Sequence, residues 1–209
     1  MSEAELSVGG PGAGLMEASP FANPTKKLVM WLFIISDAMT FAALLVAYGF
    51  LRNASSNWPA PFKFSPSIIN VMVMTFILIS SSLTMLIAVR AAQSGDKSRA
   101  FTWVLITALG GAIFALLHIR EWLGMIGEGV RLFQNPWGAP LFGAAFFCIT
   151  GMHLLHVTCG VIALLIVGLR YKGGRYDSGD LEILGLYWHF VDIVWLFVVP
   201  LVYLLSIEH

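Results

Sequence analysis

Histidines and acids recur three residues apart inside apolar stretches of this sequence. His118 and Glu121 stand in "ALLHIREW", His153 and His156 in "GMHLLHV", His189 and Asp192 in "WHFVDIVW". Glu182 lies seven residues before His189, and Asp37 stands in "FIISDAMTF". A spacing of three puts both side chains on one face of a helix. A charged residue at the centre of a membrane helix costs about 2.5–3.5 kcal/mol on insertion scales, so each needs an inward-facing reason. Three uses compete. Polar side chains tie membrane helices together for about 0.6 kcal/mol each, which is the commonest use. His153, His156 and His189 could converge as haem or metal ligands, with Gly151 and Gly160 leaving room beside them, although two histidines at i and i+3 crowd one haem. A row of Asp, Glu and His also suits a proton path, with Asp37 as its entry.

The elements that carry these groups follow from composition. Of 209 residues, 58% are hydrophobic and 11% charged, against about 25% charged in a soluble domain. The balance is that of an integral membrane protein. The formal net charge of zero gives no electrostatic basis for a nucleic-acid partner. Residues 1–25, rich in Gly, Ala, Pro and Ser, read as a flexible tail without a cleavable signal. Residues 26–209 read as one all-α polytopic bundle of five transmembrane helices, over about 28–51, 67–92, 100–123, 140–169 and 181–207. Cys148 and Cys159, on the fourth span, lie about 16 Å apart along a helix, too far for a disulfide. They read as small core residues, and no metal-ligand spacing involves them. There is no internal repeat of the kind that marks a transporter.

Lys and Arg set the expected orientation. Lys26, Lys27, Arg90, Lys97, Arg99, Arg170, Lys172 and Arg175 fall on one side, and Arg52, Lys63, Arg120 and Arg131 on the other. The excess places the N-terminus in the cytoplasm and the C-terminus in the periplasm. Trp58, Trp122 and Trp137 outside, and Trp31 and Trp103 inside, suit interfacial belts.

Three stretches together resemble subunit III of the haem–copper terminal oxidases. They are "WLFIISDAMTFAALLVAY" (31–48), "GAAFFCITGMHLLHVTCG" (143–160) and "LYWHFVDIVWLF" (186–197). That family has a Ser-Glu or Ser-Asp pair in the first, a G-x-H-x-x-H-V-x-x-G helix and a W-H-F-V-D-x-V-W helix. "ALLHIREW" resembles a fourth family segment ending in Glu. The chain departs in having five spans, like the short bacterial form also found in quinol oxidases. A related short protein accompanies some nitric oxide reductases. It also departs in carrying Asp37 where Glu is frequent, and His118 where Gln is.

The resemblance implies a non-catalytic accessory subunit of a proton-pumping cytochrome c oxidase type enzyme, which reduces oxygen to water in aerobic respiration. Such a subunit sits in the bacterial inner membrane and holds no redox centre or metal of its own. Haem and copper would belong to subunit I, its main partner, with subunit II and subunit IV as further neighbours. It stabilises subunit I, protects it from inactivation during turnover and supports proton uptake on the cytoplasmic side. Phospholipid would fill a V-shaped cleft between two helix groups, of which this chain lacks or trims the two-helix one. The acid at Asp37 would lie toward subunit I. The remaining acids and histidines would form a polar clasp of His118, Glu121, His153, His156, Glu182, His189 and Asp192. Within it, His189 and Asp192 are expected to meet Glu121, His153 or His156. Runner-up readings are a subunit of a related quinol oxidase or nitric oxide reductase complex, an independent membrane haem protein and a small proton-conducting protein.

Overall fold

The computed structural model describes residues 25–207, so the tail read at 1–25 lies almost wholly outside the described residues. Five long helices follow one another up and down: α1 (Thr25–Ala54), α2 (Ile69–Gln93), α3 (Lys97–Gly127), α4 (Pro140–Lys172) and α5 (Ser178–Val198). Each is long and apolar enough to cross a membrane. Among the described residues there is no strand, only two isolated bridges. In lipid every backbone polar group must be bonded within its own segment, and continuous helices meet that demand.

Local chemistry explains the ends. Gly95, at φ +82°, makes the left-handed turn between α2 and α3. The Asp96 side chain then caps α3 by accepting from the Arg99 N–H at 2.9 Å. Asp177 and Asp180 form a reciprocal capping box at the start of α5, at 3.0 and 3.2 Å. Pro200 has no N–H to donate, and there α5 passes into a wider turn over Val199–Tyr203, where the Leu204 N–H reaches the Val199 carbonyl.

α5 is the enclosed helix: 56% of its most apolar window is buried, against 17% for α1. It packs against α1, α2 and α4, and its indoles reach α3. Trp188 is fully buried. Its ring lies where Gly111 of α3 and Gly160 of α4 have no side chain. A Cβ at Gly160 would come within 2.9 Å of the ring, and one at Gly111 closer still. Its Nε1–H donates to Ser81 Oγ of α2 at 3.0 Å. One side chain thus joins four helices. At the other end of the bundle, Trp58 Nε1–H donates to Tyr48 Oη at 3.3 Å, and Tyr48 is 3.0 Å from Ser206 Oγ. These bonds hold the α1–α2 loop across the tips of α1 and α5.

One expectation about packing changes. Cys148 and Cys159 are exposed on α4 rather than in the core, because Phe146, Ile149, Val157 and Gly160 occupy its inward side. Trp122 packs onto α4: its ring fills the space beside Gly151, and its Nε1–H donates to Thr150 Oγ1 at 3.2 Å.

Candidate functional site

The polar side chains turn inward but do not meet in one cluster. Asp37, about two fifths of the way along α1, faces α4. His156 Nε2 lies 3.1 Å from Asp37 Oδ2, with both side chains largely buried. The approach is close but not aligned for a good hydrogen bond, so Asp37 Oδ2 has no such partner. On the far side of the ring, His156 Nδ1 is 2.7 Å from the Met152 carbonyl. A carbonyl only accepts, so Nδ1 carries a hydrogen. Nε2 is the ring nitrogen that faces Asp37. Phe41 and Tyr187 enclose it: Phe41 stands edge-on to His156 at 5.4 Å, and Tyr187 Oη–H donates to the His156 carbonyl at 2.9 Å.

His153, one turn earlier on α4, is fully buried. Its ring stacks on Trp195 at 5.0 Å, and Phe114 meets it edge-on at 5.6 Å. His118 of α3 lies beside the same two rings, 5.7 Å from Phe114 and 5.5 Å from Trp195. None of the four ring nitrogens of His118 and His153 has a hydrogen-bond partner. Both histidines act here as aromatic packing units.

Glu121, one turn beyond His118, accepts from Tyr203 Oη–H at 3.1 Å through Oε2. Its other oxygen, Oε1, is buried without a partner. The widened turn after Pro200 belongs to the same segment as this tyrosine. Tyr203→Phe removes the carboxylate's one hydrogen bond and is expected to cost about 1–3 kcal/mol of stability, read in a detergent unfolding titration. A change within error would mean that the tie is not formed in the folded protein.

His189 and Asp192 meet α2, not α3 or α4 as expected. Ser82 Oγ is 2.5 Å from His189 Nδ1. Ser82 also neighbours Asp192, but its geometry serves the imidazole, and both Asp192 oxygens are without a hydrogen-bond partner. The reason is the indoles. Asp192 lies four residues after Trp188 and three before Trp195 on the inner face of α5. The two rings fill the space toward α3 and α4, so the carboxyl reaches none of Glu121, His153 or His156. Glu182 lies apart again. It pairs with Lys27 at 2.7 Å, as Asp180 pairs with Lys26 at 2.8 Å, at the basic end of the bundle.

The arrangement does not fit a haem. The space beside Gly151 and Gly160, which a porphyrin would need, is taken by Trp122 and Trp188. His153 is sandwiched by protein rings, and His156 is held by Asp37 and Met152. Among the described residues no three His, Cys, Asp or Glu side chains come together as a metal site. Sequence reasoning missed Tyr203, Ser81 and Ser82 as partners, and also Thr75, whose Oγ1 accepts from Trp195 Nε1–H at 3.0 Å. The run Ser80–Ser81–Ser82 inside an apolar helix was the available signal, since hydroxyls there commonly bond across helices.

Comparison with known proteins bears directly on this bundle. The family described as cytochrome c oxidase subunit III matches residues 19–207. The chain is 33% identical to quinol oxidase subunit 3 of Bacillus subtilis, over 86% of this chain and 87% of that one. It is 33% identical to cytochrome bo(3) ubiquinol oxidase subunit 3 of Pseudomonas aeruginosa, over 84% and 83%. It is 31% identical to cytochrome c oxidase subunit 3 of Bacillus sp. strain PS3, over 90% and 92%. The family match runs through the helices that carry Asp37, the His153–His156 pair and the Trp188–Trp195 segment, and the chain belongs to the cytochrome c oxidase subunit III family of the haem–copper oxidases.

Proposed function

We propose that this chain is the cofactor-free accessory subunit of a proton-pumping haem–copper oxygen reductase in a bacterial inner membrane. It seats on subunit I, which holds the haem and copper, with subunit II and subunit IV as further neighbours. It takes no part in electron transfer. Its work is to hold subunit I in its active arrangement, to bind phospholipid and to assist proton uptake. The observation that carries the reading is the match of the family over residues 19–207, joined to relatives that are third subunits of respiratory oxidases. Relatives named for quinol and for cytochrome c match at 33% and 31% identity, so the role is one that serves either donor. The packed histidines favour a subunit without a redox centre over an independent haem protein.

Asp37 is the residue we assign to proton uptake beside subunit I. Its Oδ2 lies 3.1 Å from His156 Nε2, and its α1 neighbours Ala38 and Met39 are exposed. Asp37→Asn keeps the shape, and its amide can donate to Nε2, but it cannot exchange a proton. The variant is expected to assemble normally and to lose activity after several-fold fewer turnovers than the parent enzyme. Oxygen consumption followed to exhaustion reads both rate and lifetime. An unchanged rate together with an unchanged lifetime would remove Asp37 from the proton route. The assembly itself is tested by gentle purification through a tag on this chain, with a reduced-minus-oxidised spectrum. Haem arriving with a large partner and leaving when the chain is stripped supports the reading. Haem remaining on the stripped chain overturns it.

A further inference from the structure

At the Trp58 end of the bundle, a cavity of about 490 Å³ opens between the Pro61–Asn70 segment and the last turns of α3. Its polar wall is of mixed sign: Arg120, Glu121 and Glu128, with Ser65, Ser67 and Asn70. Among the described residues, Arg120 and Glu128 make no ion pair with each other or with any other side chain. Glu121 lines the same wall, with its Oε1 buried and its Oε2 accepting from Tyr203. A purely anionic ligand is repelled by Glu128, and a purely cationic one by the guanidinium. A ligand with a phosphate and an ammonium a few bonds apart satisfies both.

The same helix pair continues the cavity into the membrane. A second groove, of about 250 Å³ and almost wholly apolar, lies between Phe76–Thr84 of α2 and Ile106–Ile113 of α3. On α2, Ile69 and Val73 of the cavity and Phe76, Ser80 and Thr84 of the groove share one helical face. On α3, Ile113 and Arg120 lie two turns apart on one face as well. Ile69, Val73 and Phe76 are all exposed along this line. The floor of the groove is set by Gly110, where an added Cβ would lie 3.0 Å from Ser81 Cβ. A charged recess at the helix ends, leading into an apolar groove beneath it, has the polarity sequence of a phospholipid.

We propose that the α2–α3 seam binds one zwitterionic, amine-bearing phospholipid, with its headgroup beside Arg120, Glu121 and Glu128 and an acyl chain in the groove beside Ile113. This deepens the phospholipid part of the proposed function and rests on it. It places the lipid within the five-helix group rather than in a cleft between two groups. The guanidinium takes the phosphate and the exposed Glu128 carboxylate takes the ammonium.

The test uses the full chain in its purified oxidase complex. The complex is delipidated and then exposed to micelles holding phosphatidylethanolamine and phosphatidylglycerol in equal amounts. Retained lipid is counted by native mass spectrometry. The parent chain is expected to retain phosphatidylethanolamine preferentially. Arg120→Gln, at an exposed position, is expected to lower that retention at least about threefold, the scale of one surface charge contact. Ile113→Trp, which blocks the groove and leaves the charges in place, is expected to lower it too. Phosphatidylglycerol lost in the variants as much as phosphatidylethanolamine would overturn the zwitterion assignment. Retention unmoved by both variants would overturn the site. Whether the chain travels with haem-bearing subunits appears as separate peaks in the same spectrum. A failure of the assembly reading is thereby distinguished from a failure of the lipid site, which the lipid bound to the chain's own peak still reports.

Discussion

Trp188→Ala is expected to lower the stability of the bundle by about 3–5 kcal/mol, the range for deleting a large buried aromatic side chain. The ring sits in a slot that two glycines on different helices leave open. Its Nε1–H satisfies Ser81 on a third helix, and the tryptophan itself belongs to a fourth. In a membrane the hydrophobic drive between helices is weak, so close packing and polar ties carry the association. Removing this ring takes away both. Trp188→Phe keeps much of the packing and loses the hydrogen bond, which is worth about 1 kcal/mol. The two variants should therefore rank alanine far below phenylalanine in an unfolding titration and in the fraction of subunit retained by the complex. Equal and small effects would mean that the slot does not hold the helices together.

His156→Leu is the second large expected effect, at about 3 kcal/mol. Breaking a buried pair by removing one member costs about 3–5 kcal/mol because the other is left unpaired; the low end applies because Asp37 and His156 keep 11% and 14% of their side-chain exposure. Asp37→Asn, which keeps a donor opposite Nε2, should cost less than about 1 kcal/mol. The double change of Asp37→Leu with His156→Leu removes both polar groups and should recover part of the loss. That pattern, read as a double-mutant cycle, separates the structural share of the pair from its proton chemistry. Additive losses in the double variant would show that the two side chains do not act as a pair. The contrast with Asp192 is instructive. Among the described residues no cationic side chain lies within ion-pair distance of it, so the expectation of an ion-pair clasp there gives way to a carboxyl enclosed by two indoles.

The sequence by itself determined the class and the inward set. Five apolar runs of spanning length force five helices, because lipid offers no partner for an open backbone. The cost of a charge in that medium turns Asp37, Glu121 and Asp192 toward the interior. The motifs around Ser36–Asp37, Gly151–Gly160 and Trp188–Trp195 resembled subunit III, and the family match over 19–207 agrees. Only the tertiary structure decided which polar group meets which. Helical periodicity assigns a residue to a face, but not the rotation of that face about the bundle or its height against a neighbour. Those are set by volume: Trp188 entering the gap at Gly111 and Gly160, and Trp195 stacking on His153. Once the indoles are seated, His189 is left to Ser82, and Asp192 is kept from the histidines of α4. The short acid on α1 takes His156, Tyr203 comes up to Glu121 after the widened turn at Pro200, and Glu182 is left at the bundle end with Lys27.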